Sequence, residues 1–79
     1  MRAEDLLVYL RKQPFEPFRI VLSDGTTYEI RHPEMVLPSR RTIVIGIPSK
    51  GGPLIAEQIV TAALVHIVRL EQLDTAAAG

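Results

Sequence analysis

The stretch that decides the fold is residues 15–32, FEPFRIVLSDGTTYEIRH. Large apolar side chains occupy alternate positions in both halves of it: Phe18, Ile20 and Leu22 in the first, Tyr28 and Ile30 in the second. A period of two on both sides of an aspartate-glycine pair predicts a β-hairpin.

Two registers are open to this hairpin. A two-residue turn would pair Ile20 with Glu29 and place a charge opposite the apolar face. A three-residue turn at 23–25 pairs Ile20 with Tyr28 instead, so the large apolar groups of both strands share one face. We expect the second register, which requires a type I turn with Gly25 as a bulge in the left-handed conformation.

The residues before the hairpin have helical spacing. The apolar positions are Ala3, Leu6, Leu7 and Leu10, the acids Glu4 and Asp5 complement the helix dipole, and Arg11 and Lys12 fall in the last turn. Pro14 ends the helix because a proline disfavours the α conformation in the residue before it. We expect the apolar stripe of this helix to pack on the sheet that follows.

The second hairpin strand is interrupted by His32 and Pro33. Proline cannot donate to a strand ladder, so this strand must bend before it continues through residues 35–37. After a turn at 38–41, residues 42–47 are apolar on both faces, which predicts a central strand that ends at Pro48.

The C-terminal part predicts two more strands. Residues 54–60 form the first of them, residues 61–63 form a tight turn, and residues 66–71 close the sheet. In the closing strand, Val68 and Leu70 are expected to face one way and Ile67 and Arg69 the other.

The fold class is therefore mainly β: an N-terminal helix followed by a strongly bent five-stranded antiparallel sheet that forms a small barrel. We expect one domain at 1–74 and a disordered tail at 75–79. A chain of 79 residues builds only one small core. A strand edge left free would let copies of the chain pair, so we expect a homo-oligomer.

Composition narrows the setting. There is no cysteine, which excludes disulfides and thiolate metal sites and favours a reducing compartment. The most apolar stretch, residues 59–68, is far shorter than the roughly 20 residues that a membrane helix needs. Glu4 and Asp5 argue against a secretory signal. A cytoplasmic location, with no membrane partner, is the expectation.

Charge is unevenly distributed although the formal net charge is zero. Residues 31–50 carry four basic side chains and one acidic side chain, a net +3, so the remainder carries −3. This asymmetry predicts a basic surface that would act mainly on phosphates. Its members are Arg31, His32, Arg40, Arg41 and Lys50.

Catalytic groupings are missing from the sequence. The two histidines lie more than thirty positions apart without a spaced pair of acids, which is not a metal motif. The turn serines lack a recognisable base, and residues 49–52 lack the spacing of a phosphate-binding loop. We expect no enzymatic activity, no cofactor and no small-molecule substrate.

Two resemblances follow from short motifs. Residues 5–7, 13–18, 23–25 and 31–34 read DLL, QPFEPF, SDG and RHPE, and on them the chain resembles a set of short uncharacterised bacterial proteins over residues 5–71. That resemblance implies no function.

The second resemblance is to the Sm-like (Hfq/LSm-type) proteins, and it rests on element order, on Leu22 to Gly25 and on the position of His66. It implies a helix followed by five bent strands, assembly into rings through strand edges, and RNA binding. A small SH3-like barrel has a similar shape. Of the family's tyrosine-lysine-histidine sequence, which contributes to uridine binding, residues 64–66 keep only the histidine.

The leading hypothesis is thus a non-enzymatic, self-associating binding module with RNA as its partner. The alternative is a protein-interaction or scaffold module in which an exposed strand edge captures another chain, without nucleic acid.

Overall fold

The computed structural model describes residues 1–49 and 52–73. Its elements in chain order are α1 (Ala3–Leu10), β1 (Phe18–Leu22), β2 (Thr27–Ile30), β3 (Val36–Pro38), β4 (Thr42–Ser49), β5 (Gly52–Ala63) and β6 (Ile67–Gln72). Short 3₁₀ turns at Pro33–Met35 and Leu64–His66 connect β2 to β3 and β5 to β6. The strands form two antiparallel sheets, sheet A in the order β2-β1-β6 and sheet B in the order β3-β4-β5.

The mainly β class with an N-terminal helix is confirmed, but the five-stranded barrel is wrong. Within the described residues there are six strands in two separate three-stranded sheets, and no closed barrel forms. The cause is the bend at His32 and Pro33. It is a full 3₁₀ turn, so the two halves of the expected second strand become β2 and β3 and belong to different sheets.

The hairpin register is confirmed. Ile20 lies opposite Tyr28, and the Leu22 N–H donates to the Thr26 carbonyl oxygen at 2.8 Å. Gly25 has a φ of 89°, the left-handed conformation that the three-residue turn requires. The Asp24 carboxylate accepts a hydrogen bond from the Thr26 N–H at 2.9 Å, which fixes the turn from its side-chain face.

Gly25→Val is expected to destabilise the fold by about 1–2 kcal/mol, because a left-handed backbone costs an L-residue that much. No heavy atom lies within 4 Å of a Cβ added at Gly25, so the cost comes from backbone strain and not from a clash. Urea denaturation followed by circular dichroism measures it. Gly25→Asn is the matched control and should cost less, since asparagine tolerates this conformation. Wild-type stability in the valine variant would refute the turn.

Helix α1 is confirmed, although it is shorter than expected. It ends at Leu10, and Arg11 caps it by donating its backbone N–H to the Leu7 carbonyl oxygen at 2.9 Å. Arg11 and Lys12 therefore lie beyond the last turn and not within it. The helix buries Leu6 against both sheets.

The boundaries of β4 and β5 in sheet B differ from expectation, and β5 begins at Gly52 instead of at residue 54. Pro48 does not end β4, which continues to Ser49 through register shifts on both sides of the proline, a place where a proline is tolerated. The turn expected at 61–63 is wrong, since these residues belong to β5, and Thr61 pairs with Val44. The chain turns three residues later, at Leu64–His66. Pairing with β4 overrides the weak strand propensity of alanine here.

The facing of β6 also differs from expectation. A β-bulge makes Leu22 pair with Ile67 and Val21 pair with Arg69, so Val68 has no direct partner. Ile67 is buried and Leu70 packs on the core, whereas Val68 is exposed. The expectation that Val68 and Leu70 lie on the same face of β6 is therefore wrong.

The core lies between the two sheets and under α1. Its fully buried side chains are Leu6, Phe18, Ile20, Ile30, Ile43 and Ile45. The rings of Tyr9 and Phe15 lie 5.2 and 6.0 Å from that of Phe18, so three of the four aromatic residues form one cluster. No helix of the described part of the chain is long and apolar enough to cross a membrane.

Candidate functional site

The structure separates the residues predicted to form one basic surface. Arg31 and His32 follow β2 and line a pocket together with Ile47, at the far end of β4. Arg40 and Arg41 lie in the β3–β4 turn and line a different cleft together with Thr42. Residues 42 and 47 are five strand positions apart, or about 17 Å. Lys50 lies outside the described residues.

The cleft lined by Arg40 and Arg41, here called the arginine cleft, has a volume of about 470 Å³. Two turns build it, and its lining residues are Met1, Arg40, Arg41, Thr42, Ala63, Leu64 and Val65. The Leu64 N–H donates to the Arg41 carbonyl oxygen at 2.8 Å and so ties the β5–β6 turn to the β3–β4 turn. Ser39 closes the β3–β4 turn, because its N–H donates to the Thr42 carbonyl oxygen at 2.7 Å.

The arginine cleft is positive. Arg40 and Arg41 are exposed, no acidic residue lines the cleft, and neither arginine forms a salt bridge with any residue that the structure describes. Val65 adds an apolar side chain that is 78% exposed. Sequence reasoning missed Leu64 and Val65 as neighbours of the arginines, because the hydrogen bond between the two turns joins residues more than twenty positions apart.

The pocket lined by Arg31 and His32, here called the seam pocket, lies between β2 of sheet A and β4 of sheet B. Its volume is about 360 Å³. Its inner wall is apolar and consists of Met35, Ile45, Ile47 and Pro48. Its remaining lining residues are Thr27, Tyr28, Glu29, Arg31 and His32, so the pocket carries one acidic and one basic side chain.

Arg31 ends a row of five alternating charges, here called the charge ladder. In order the members are Arg31, Glu29, Arg19, Glu71 and Arg69, and their consecutive N···O distances are 3.0, 3.1, 3.1 and 2.7 Å. Arg19 lies directly across from Glu29 on β2 and from Glu71 on β6. The ladder contains three arginines and two glutamates, so it keeps one net positive charge, and both of its ends are arginines.

The ladder shifts the acid-base behaviour of its members. Hydrogen bonds from Arg19 and then from Arg31 hold the pKa of Glu29 below its ordinary value, and those from Arg69 and then Arg19 do the same for Glu71. A lowered folded-state pKa stabilises the fold above the unfolded pKa of glutamate, and this stabilisation is lost as the pH falls through the folded value. The groups are partly exposed, so salt weakens the contribution.

Ser23 and His66 meet at the hairpin tip. The Ser23 Oγ lies 3.4 Å from the His66 Nδ1, and the Ser23 N–H donates to the His66 carbonyl oxygen at 2.8 Å. A nucleophilic serine needs a histidine that an acid holds in place. Here the nearby Asp24 accepts the Thr26 N–H instead, and this bond lowers the pKa of the Asp24 carboxyl. The pair therefore fastens the hairpin tip to the β5–β6 turn.

Metal-binding clusters are likewise missing from the described ranges, 1–49 and 52–73. Within them no group of three or more histidine, aspartate or glutamate side chains could hold an ion.

The outer face of sheet B is apolar and open. Leu37 on β3 pairs with Val44 on β4, which pairs with Thr61 on β5. Leu37 is 70% exposed, and Ile59 on β5 is 68% exposed. Strand β5 forms the edge of the sheet beside them.

Comparison of the chain with protein-family models, with curated proteins and with solved structures gave no match. Its function is therefore argued from the geometry of these surfaces.

Proposed function

We propose that the chain is a non-enzymatic binding module that associates with further copies of itself through the outer edge of β5. The observation that carries this proposal is the length and openness of that strand. β5 spans Gly52–Ala63, its inner edge pairs with β4, and within the described residues no strand covers its outer edge.

An open edge of this length is a template for another strand. Proteins usually protect such edges with charge, bulges or a covering element. From residue 55 to residue 63, where the side chains are described, β5 carries one charged residue, Glu57, and the exposed apolar Ile55 and Ile59. A strand from a second copy would satisfy the backbone groups of this edge and cover Ile59 and the apolar outer face of sheet B.

Native mass spectrometry of the purified protein tests the proposal. We expect a defined oligomer for the wild type and a monomer for Ile59→Lys, because the substitution places a charge beside the paired edge. Val8→Lys is the matched control: Val8 is exposed to a similar degree, 65%, but lies on α1, so this variant should remain oligomeric.

A monomeric wild type, or an Ile59→Lys variant with the same number of copies as the wild-type oligomer, would overturn the proposal. Co-purification of a different protein bound to a monomer, without nucleic acid, would favour the scaffold alternative.

The Sm-like or SH3-like architecture is part of this proposal. Three features of the fold support it: the helix before the strands, the three-residue hairpin turn with Gly25, and the sharp bend between β2 and β3. The arrangement proposed is the open, two-sheet one, in which edges stay available for pairing.

RNA is the second candidate partner, and the arginine cleft is the observation that favours it. Arg40 and Arg41 keep their charges unpaired within the described residues and line one cleft, whereas Arg31 and His32 line a different pocket at the other end of β4. The proposed RNA surface therefore contains Arg40 and Arg41 but not Arg31 and His32, which the sequence also predicts as members. Leu64 and Val65 line the same cleft, at the positions where the Sm-like resemblance has tyrosine and lysine.

Such a site would hold RNA mainly by its phosphates. Tyr9, Phe15 and Phe18 pack in or against the core, so they are not available for base stacking. Exposed guanidinium groups supply phosphate contacts, whose strength falls steeply as the salt concentration rises.

A further inference from the structure

We infer that the seam pocket binds a small amphipathic carboxylate, with its anionic end at Arg31 and its apolar chain along Ile47 and Pro48. This inference is independent of the proposed self-association, because the pocket lies between the two sheets and the outer edge of β5 takes no part in it.

The wall of the pocket accounts for the apolar part of the ligand. Met35 and Ile45 are buried there, and Ile47 and Pro48 are half-buried. A pocket of about 360 Å³ falls within the range that small ligands occupy. Strands β2 and β4 belong to different sheets and share no ladder, so an apolar chain can lie between them without displacing a strand hydrogen bond.

The rim accounts for the carboxylate. Arg31 is the terminal member of the charge ladder and contacts one carboxylate, that of Glu29, through a single nitrogen. Glu29 shares its other oxygen with Arg19, so its charge is divided between two guanidinium groups. A guanidinium carries five N–H donors, which leaves Arg31 able to take a second carboxylate at the pocket mouth. His32 lies beside it on the same rim.

The ladder also holds Arg31 in place before a ligand arrives. Glu29 fixes the guanidinium from the side of sheet A, and Arg19 in turn fixes Glu29. A side chain positioned in advance loses less conformational entropy when it binds. Glu29 also lines the pocket, but it divides its charge between Arg19 and Arg31 and so only partly neutralises Arg31. The remaining positive charge beside an apolar wall favours a monoanion with an apolar chain over a neutral alcohol of the same length.

Titration of the full chain with octanoate, followed by amide chemical shifts, tests the inference. We expect saturable shifts confined to residues 28–35 and 45–48, and an affinity for 1-octanol that is weaker by about tenfold or more, since the alcohol lacks the charge-assisted bond. This comparison of two ligands needs no variant.

Arg31→Gln should weaken octanoate binding by about tenfold or more. Arg69→Gln is the matched control, because Arg69 ends the other side of the ladder, also bonds one glutamate, Glu71, and does not line the pocket. It removes the same charge and should leave the affinity unchanged. Equal binding of octanol and octanoate, equal losses in the two variants, shifts located elsewhere, or no saturable binding would each overturn the inference.

Discussion

Phe18→Ala is expected to remove a large part of the protein's free energy of unfolding and to shift its urea denaturation to a much lower urea concentration. Truncation of a fully buried phenylalanine costs about 3–5 kcal/mol, and the whole stability of a domain of this length is about 4–12 kcal/mol. Phe18 has no exposed surface, and it starts β1, the central strand of sheet A. Its ring also meets those of Tyr9 and Phe15, so its loss removes one of the contacts between the helical segment and the sheet.

Urea denaturation followed by circular dichroism measures this loss. Phe15→Ala is the matched control because it removes the same ring from a half-buried position 6.0 Å away. It should cost clearly less, since the residue is only partly buried and its truncation removes less apolar surface from the core. If both variants lose the same free energy, or if Phe18→Ala loses less than about 1 kcal/mol, Phe18 is not the centre of this core.

The first hairpin could be predicted from sequence because its information is local. Alternation places Ile20 and Tyr28 on one face, and the choice between two turn lengths is decided by whether Glu29 opposes an apolar residue. Gly25 then follows from the turn geometry. All of this information lies in residues within about ten positions of each other. The structure confirms both the register and the conformation of Gly25.

The errors occur where distant residues decide. The bulge that turns Val68 outward is set by the pairing of β6 with β1, more than forty positions earlier in the chain. The continuation of β5 through residues 61–63 is set by pairing with β4. The division into two sheets follows from the tightness of the turn after His32, where the sequence indicates a bend but not its angle.

The same limit applies to the candidate site. Arg40 and Arg41 could be predicted as exposed cations, since they lie between a proline and a strand. The salt bridge of Arg31 with Glu29 is local enough to be predicted, because Glu29 lies two positions earlier and alternate residues of an extended chain share a face. The contact between Glu71 and Arg19 could not be predicted, since it joins residues 52 positions apart.

Replacement of both Arg40 and Arg41 by glutamate is expected to abolish RNA binding if the arginine cleft is the RNA site. The double variant changes the charge of the cleft by four units, and we expect an affinity loss of about 100-fold or more at low salt. Fluorescence anisotropy with a labelled oligouridylate measures it. The slope of log affinity against log salt should also fall by about 1.4, or roughly 0.7 for each lost phosphate contact on a single strand.

The double variant Arg11→Glu with Lys12→Glu separates the cleft from net charge alone. It makes the same four-unit change in adjacent exposed residues, but these follow α1 and do not line the arginine cleft. Lys12 forms an exposed salt bridge with Glu16, whose loss costs little. At about 0.1–0.15 M salt we expect this control to retain most of the affinity, since screening there limits the reach of exposed charges to about 8–10 Å. Equal loss in both double variants would mean that overall charge, and not the cleft, holds RNA; wild-type binding that is absent or insensitive to salt would rule out RNA as the partner.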